Sequence, residues 1–396
     1  RMALPLSVTS AVLGRKKISF IGPLIDSVDA VQGNYRGPVS YGQDDVTLYW
    51  GFKAVLDDMK RKLQENPEYL FALDDTGTIP GVTVDVELRK MHGCEGASYN
   101  RYGDNYLLTP SSNVLCDDDS QMQAAAELAA ASDDVVLVVG MDTTWEGEQP
   151  TGDRLDILLP PGQVKLIDAV LSRIEKSGAK VLVHLVVIGG SALDLSSYEH
   201  DDRISSIVWA GYPSQAGGRA LANLLLGIDP LTAAPIDFSG RLTTTWYSQS
   251  YFSEFADPEH SLLDMRMTKT STSPGRGYRY YSGPNVVYPF GHGLTYTQFD
   301  VAILPGTLSP QITVTNPSKR KASYVQLVYG ETQGKVSASG GSSRHLQLCN
   351  FYRLEVEAQS DYTLQIECDG AYPDPVSREK LSPRHLQMPD GSLRKL

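Results

Sequence analysis

The sequence predicts two architectures in succession: an α/β domain on a mainly parallel sheet flanked by helices, then a small all-β sandwich. Three observations carry this reading. Apolar runs such as Val135–Val139 and Lys180–Val187 read as strands buried on both faces, and they alternate with segments of helical periodicity. Beyond Ser248 the helical pattern is lost, and Tyr, Gly and Pro dominate through Gly293. From about Thr297 onward, short alternating strands are separated by turns.

Taken in order, Lys16–Ile21 reads as a first strand ending in the Gly22-Pro23 turn. The loop that follows, through Gln32-Gly33-Asn34-Tyr35-Arg36-Gly37, contains no GxGxxG, so a phosphate cradle and a nucleotide-binding function are disfavoured. Leu48, Phe52, Val55, Leu56, Met59 and Leu63 recur at helical intervals and predict a helix over 47–64. Between Glu65 and Ser120 the pattern is irregular, with one alternation at Val82–Val86. The Ala-rich Gln121–Ser132 segment should be helical. After the Val135–Val139 strand come a helix over Gln163–Lys176, the Lys180–Val187 strand, a strand at Ile204–Ala210 and a helix from Arg219 to about Leu226. Gly211-Tyr212-Pro213 and Gly217-Gly218 read as backbone devices for the tight turn into that helix. His184 lies inside an apolar run and is expected to be a hydrogen-bonded core histidine. Arg241–Tyr247 reads as an edge strand, and Gln311–Thr315, Tyr324–Tyr329, His345–Leu348 and Thr363–Ile366 as strands of the sandwich.

At 396 residues and 41% hydrophobic content the chain can hold two or three domains. Its net charge of −12 leaves no basic face for nucleic acid. No run of about eighteen apolar residues could span a membrane, and no secretory signal pattern is seen. Seven histidines are scattered without a metal-ligand spacing, and no cofactor is expected. Four cysteines fall as Cys94 with Cys116 and Cys349 with Cys368, one pair in each half, neither with CxxC spacing. Two local disulfides in an oxidising compartment are the preferred reading; four free thiols are the other.

The most informative stretch runs from Val135 to Glu148, where an apolar strand ends at Gly140 and acidic and aromatic residues follow at once. In open α/β sheets ligands sit beyond the carboxyl ends of strands, which places Asp142, Trp145, Glu146 and Glu148 where a substrate would be held. Carboxylates beside an indole point to sugar chemistry: the ring stacks on the apolar face of a pyranose, and a carboxyl group moves a proton.

These residues add up to a family resemblance. Ile21-Gly22-Pro23 with Gly33-Asn34-Tyr35, Gly140 through Glu148 with Asp153-Arg154, Leu159-Pro160-Pro161-Gly162-Gln163, Trp209-Ala210-Gly211-Tyr212-Pro213, Ser239-Gly240-Arg241-Leu242-Thr243, Pro274–Gly283 and Tyr288–Tyr296 stand in family order. The chain resembles the C-terminal portion of family 3 glycoside hydrolases, in their β-xylosidase branch.

The resemblance implies that a barrel domain supplies the nucleophile, in cis or as a separate chain, and that an α/β sandwich supplies the acid/base. A fibronectin-III-like domain then closes the chain. Residues 1–15 are expected to be the linker from the barrel, 16–247 the α/β sandwich, 248–296 an irregular connection and 297–396 the fibronectin-III-like sandwich. Glu146 matches the acid/base. Glu148 is expected to contact a sugar hydroxyl or tune Glu146, with Trp145 and Asp142 as further substrate contacts, and Asp153 and Arg154 should pair to fix the loop. Burial against Trp145 is the device expected to keep Glu146 protonated at the start of the cycle. About two residues between Glu148 and Asp153 exceed the family pattern.

The implied reaction is retaining hydrolysis of xylo-oligosaccharides or related β-linked sugars, in an extracellular or secretory setting. The isolated chain is expected to be inactive. The competing expectation is a non-catalytic carbohydrate-binding or assembly module that keeps the fold and has lost the chemistry.

Overall fold

The structure is a computed structural model that describes residues 4–7, 9–10, 15–33, 47–66, 83–94, 116–143, 146, 154, 156–258, 264–304, 310–333, 344–368 and 383–395. It divides into two compact units, Arg1–Ala234 and Pro235–Leu396. The division falls before Tyr247, so residues 235–247 keep company with the Tyr-rich segment and the β-rich portion.

In the first unit, β1 (Thr9–Ser10) pairs with β3 (Thr83–Val84), antiparallel. The main sheet comprises β2 (Lys16–Ile21), β4 (Val86–Met91), β5 (Asp134–Gly140), β6 (Leu182–Ile188) and β7 (Ser206–Gly211), in the order β4-β2-β5-β6-β7. All four pairings are parallel. Its helices are α1 (Val28–Gln32), α2 (Leu48–Glu65), α3 (Met122–Ala130), α4 (Pro161–Ser177) and α5 (Gly217–Leu226). The parallel sheet with helices is as the sequence predicts, and β5 is buried along its whole length.

Two findings differ from the sequence reading, and a third, at Leu6, adds to it. The edge strand β4 lies in a stretch read as irregular. Its Val86-Glu87-Leu88-Arg89-Lys90-Met91 mixes apolar and charged residues in equal number, as a half-exposed edge does. Leu6, in the segment expected to be a linker, is buried and its N–H donates to Leu225 O at 2.7 Å. Of the strand read at Arg241–Tyr247, only β8 (Trp246–Tyr247) forms.

The strand order locates the crevice. The chain leaves β2 outward to the edge strand β4, then returns across β2 to β5. Right-handed crossovers therefore put α2 on one face and α3 and α4 on the other. The observed helix partners agree, α2 with α5 and α3 with α4. Chain direction reverses between β2 and β5, and the carboxyl ends of those strands are the switch point at which such sheets bind ligands. Gly51 of α2 lies against the backbone of Gly218 in α5, so close that a Cβ there would overlap it.

His184 is wholly buried, with Nδ1 2.9 Å from Ser206 Oγ and Nε2 3.2 Å from Asp134 Oδ1. Lys16 Nζ lies 2.7 Å from the other Asp134 oxygen. Burial alone would push the Asp134 carboxyl up, but the His184 and Lys16 contacts together hold it below its usual range. This trio lies on the β5 and β6 end away from the crevice and is a core device, as the sequence reading has it.

The second unit holds the two-stranded pair β8 and β9 (Val286–Tyr288), with α6 (Gly277–Tyr280) between them in sequence. Its two larger sheets are antiparallel. One is β10 (Asp300–Leu304), β11 (Gln311–Asn316) and β14 (Ser360–Gln365) in the order β10-β11-β14. The other is β12 (Ala322–Gln333), β13 (Arg344–Val356), β15 (Pro383–Gln387) and β16 (Leu393–Lys395) in the order β13-β12-β15-β16. Phe299, Ile312, Val314, Tyr324, Val328 and Leu354 are among the side chains of the core between them. The tyrosines of the connection pack: Tyr251 stacks on Tyr247 and meets the edge of Tyr281.

Both cysteine pairs are disulfides, Cys94–Cys116 and Cys349–Cys368, each with Cα atoms 4.9 Å apart. No described helix is long and apolar enough to cross a membrane.

Candidate functional site

The site starts from the end of β5. Gly140 has φ of 129°, and a Cβ there would overlap the Ile188 carbonyl of β6, so only glycine lets the chain leave the sheet here. Gln163, buried on the first turn of α4, clamps this residue from the other side. Its Oε1 accepts from Gly140 N–H and its Nε2 donates to Gly140 O, both at 2.8 Å. Met141 N–H continues to Ile188 O at 2.8 Å. The strand end is thus pinned by three hydrogen bonds before the functional residues begin.

Asp142 follows and is 1% exposed. Its carbonyl accepts from Glu146 N–H at 3.0 Å, which brings the two acidic residues together. The Glu146 side chain is 26% exposed. Its Oε2 accepts from Ser191 Oγ at 2.9 Å and lies 3.0 Å from Arg154 Nε. Arg154 Nη2 donates in turn to Ser191 Oγ at 2.6 Å. Ser191 comes from the Gly189-Gly190 turn after β6, so one carboxylate ties together the exits of two neighbouring strands.

Arg154 therefore pairs with Glu146. Its expected partner Asp153 lies outside the described residues, as do Trp145 and Glu148. Among the described residues Glu146 meets an ion pair and a hydroxyl, and the apolar wall expected from Trp145 lies outside them.

Two further residues were not singled out for the site by sequence reasoning. Tyr212, read as part of a turn, has its ring against Gly190 and Gly33, where a Cβ would come within 2.6 Å and 2.9 Å of it. Burial first, then the Glu146 carboxylate, pushes its phenol up to about 12. Trp209 Nε1 donates to Gly189 O at 2.9 Å and steadies the turn that carries Ser191. The signal available in the sequence was their place in the family-order stretch Trp209-Ala210-Gly211-Tyr212-Pro213.

Farther along the same sheet end, Asp26 sits 2.7 Å from His92 Nε2 and 2.6 Å from Lys90 Nζ. Hydrogen bonding from His92 foremost, and from Lys90, holds its carboxyl down at about 2 against the opposing effect of burial. Among the described residues no group of His, Cys, Asp and Glu is placed to hold a metal ion. The arrangement around Glu146 suits proton exchange with a neutral, hydroxyl-bearing molecule: one carboxyl reachable from solvent, its second oxygen anchored.

A model of the glycosyl hydrolase family 3 C-terminal domain matches residues 2–296. Probable beta-D-xylosidase 6 of Arabidopsis thaliana is 37% identical over 270 residues, covering 66% of this chain and 30% of that protein. Exo-1,4-beta-xylosidase xlnD of Emericella nidulans is 28% identical over 342 residues, covering 80% of this chain and 34% of that protein. Among solved structures, a GH3 exo-beta-xylosidase (XlnD) in complex with a xylobiose aziridine activity-based probe matches with a TM-score of 0.64 at 25% identity, over 98% of this chain and 44% of that one. The beta-glucosidase from Listeria innocua in complex with isofagomine shares the fold, with a TM-score of 0.58 at 19% identity over 97% of this chain and 44% of that one. The chain spans less than half the length of each of these proteins.

Proposed function

Because the chain belongs to glycosyl hydrolase family 3, in which it carries the C-terminal domain, we propose that it supplies the acid/base half of a retaining, β-xylosidase-like active site. The nucleophile would come from a family barrel domain, in cis or as a separate chain. The observation that carries this reading is Glu146 itself: a partly exposed carboxyl at the topological switch point, beyond the carboxyl end of β5, with one oxygen anchored and the other taking no hydrogen bond from a described residue.

The proposed cycle needs two steps from Glu146. In the first, a nucleophilic carboxylate attacks the anomeric carbon, the glycosidic C–O bond breaks, and Glu146 gives its proton to the departing oxygen. In the second, Glu146 as carboxylate takes a proton from water as that water attacks the glycosyl-enzyme, releasing the sugar with retained configuration. Arg154 and Ser191 hold Oε2 through both steps, so the proton enters and leaves at Oε1. The substrate would be a xylo-oligosaccharide or a related short β-linked sugar, a reading supported by the names of the relatives. The two disulfides support an oxidising, extracellular or secretory setting.

A chain with the acid/base and no nucleophile opposite it forms no glycosyl-enzyme. We expect the 396-residue chain alone to leave an aryl β-xyloside uncleaved, and the same chain joined to a family 3 barrel to cleave it. Cleavage by the chain alone that disappears in Glu146→Gln would contradict the division of labour. Binding of xylobiose without turnover in the joined protein, unchanged by Glu146→Gln, would favour the non-catalytic module instead.

A further inference from the structure

Among the described residues Arg154 uses one edge of its guanidinium. Nε faces Glu146 Oε2 at 3.0 Å, and Nη2 donates to Ser191 Oγ at 2.6 Å and to Ala192 O at 3.4 Å. Nη1, on the other edge, is buried and has no hydrogen-bond partner among the described residues, although the side chain is only 10% exposed. A guanidinium cannot shed its proton to escape such a place, and a buried N–H is ordinarily matched with an acceptor. Glu146 shows the complementary imbalance: Oε2 takes both protein donors, and Oε1 takes none among the described residues.

Taken together, a committed donor edge and a committed acceptor oxygen leave one donor and one acceptor in the same side-chain cluster. A sugar oxygen carrying a hydrogen can satisfy both. We propose that Arg154 is a substrate-binding residue, whose Nη1 donates to an oxygen of the leaving-group sugar while its opposite edge holds the carboxyl that protonates that sugar. The ligand class is a neutral pyranoside, because the guanidinium is already paired with the Glu146 carboxylate, whose own charge disfavours an anionic sugar beside it. This rests on the reading of Glu146 as the acid/base and assigns a second role to the residue that positions it. Lysine in place of arginine would keep the charge and lose the planar fork that allows both roles at once.

The test is ligand-detected NMR titration of the 396-residue chain with xylobiose, with D-glucuronate as the anionic comparison. Wild type should bind xylobiose and bind glucuronate no more tightly. Arg154→Lys and Arg154→Gln should each weaken xylobiose binding about ten-fold or more. Ser191→Ala, which loosens the anchor and leaves Nη1 in place, should weaken it by less than about three-fold. Far-UV circular dichroism and the thermal midpoint establish that each variant is folded, and the two arginine variants guard against loss of fold in one. Xylobiose affinity equal in wild type and a folded Arg154 variant, tighter binding of glucuronate, or no binding of xylobiose by wild type would each overturn the proposal. Turnover by the barrel-joined protein reads the Glu146 assignment separately, so failure of the one is distinguishable from failure of the other.

Discussion

In the proposed cycle a single ion pair, Glu146 with Arg154, serves as both structure and chemistry. The carboxylate needs a fixed position and a free oxygen, and the guanidinium supplies the first without occupying the second. Elsewhere, two aspartates make opposite predictions about acid. Asp26 is held at about 2 by His92 and Lys90, below its unfolded value near 3.8. Its contribution to stability is complete above pH 4 and is lost as pH falls through about 2. In chemical denaturation followed between pH 5 and 2, Asp26→Asn should show a shallower loss of stability than wild type. Asp237 is the reverse: burial pushes its carboxyl up, with Arg320 3.9 Å away opposing. Ionising it costs stability, and the cost fades as pH falls towards its unfolded value. The stability of Asp237→Asn relative to wild type should therefore be more favourable at pH 7 than at pH 4.

Among the elements, β5 and the turn that ends it matter most, and their legibility in the sequence was uneven. The run Val135–Val139 announced a strand buried on both faces, and the structure extends it only to Asp134 and Gly140. The helices α2, α4 and α5 were equally legible because their buried faces recur every three to four residues. The edge strand β4 was not, because a strand in which half the residues are charged looks like a polar loop when pairing partners are unknown. The strand β13 runs over Arg344–Val356, far beyond the four residues read at His345–Leu348, since partnership with β12 and not local pattern sets its length. In the site, Asp142 and Glu146 were legible from their place after the strand. Gln163, Ser191 and Tyr212 were not, since their roles depend on contacts between segments that no single-sequence pattern encodes. Gln163 offers a test at this scale. Gln163→Leu leaves the buried N–H and C=O of Gly140 without their partner, at a cost of about 2–4 kcal/mol. A thermal midpoint unchanged from wild type would mean that this clamp does not secure the end of β5.

For the whole molecule, two compact units each carry one disulfide. Cys349–Cys368 ties β13 to the segment after β14, across a sequence separation of 19. Opening such a loop should cost about 3 kcal/mol by chain entropy. Cys349→Ser with Cys368→Ser should accordingly lower the denaturation midpoint of the second unit, monitored through its tyrosines. The larger claim concerns the division of one active site between two portions of a polypeptide, with the proton donor on this one.

That claim is tested most directly by azide rescue of Glu146→Ala in the barrel-joined protein. Loss of the acid/base should slow hydrolysis of a β-xyloside about 10²–10⁴-fold, and azide, a nucleophile that needs no general base, should restore turnover and yield a β-xylosyl azide. Undiminished hydrolysis by Glu146→Ala, or a loss that azide leaves untouched while a different carboxylate variant is rescued, would contradict it.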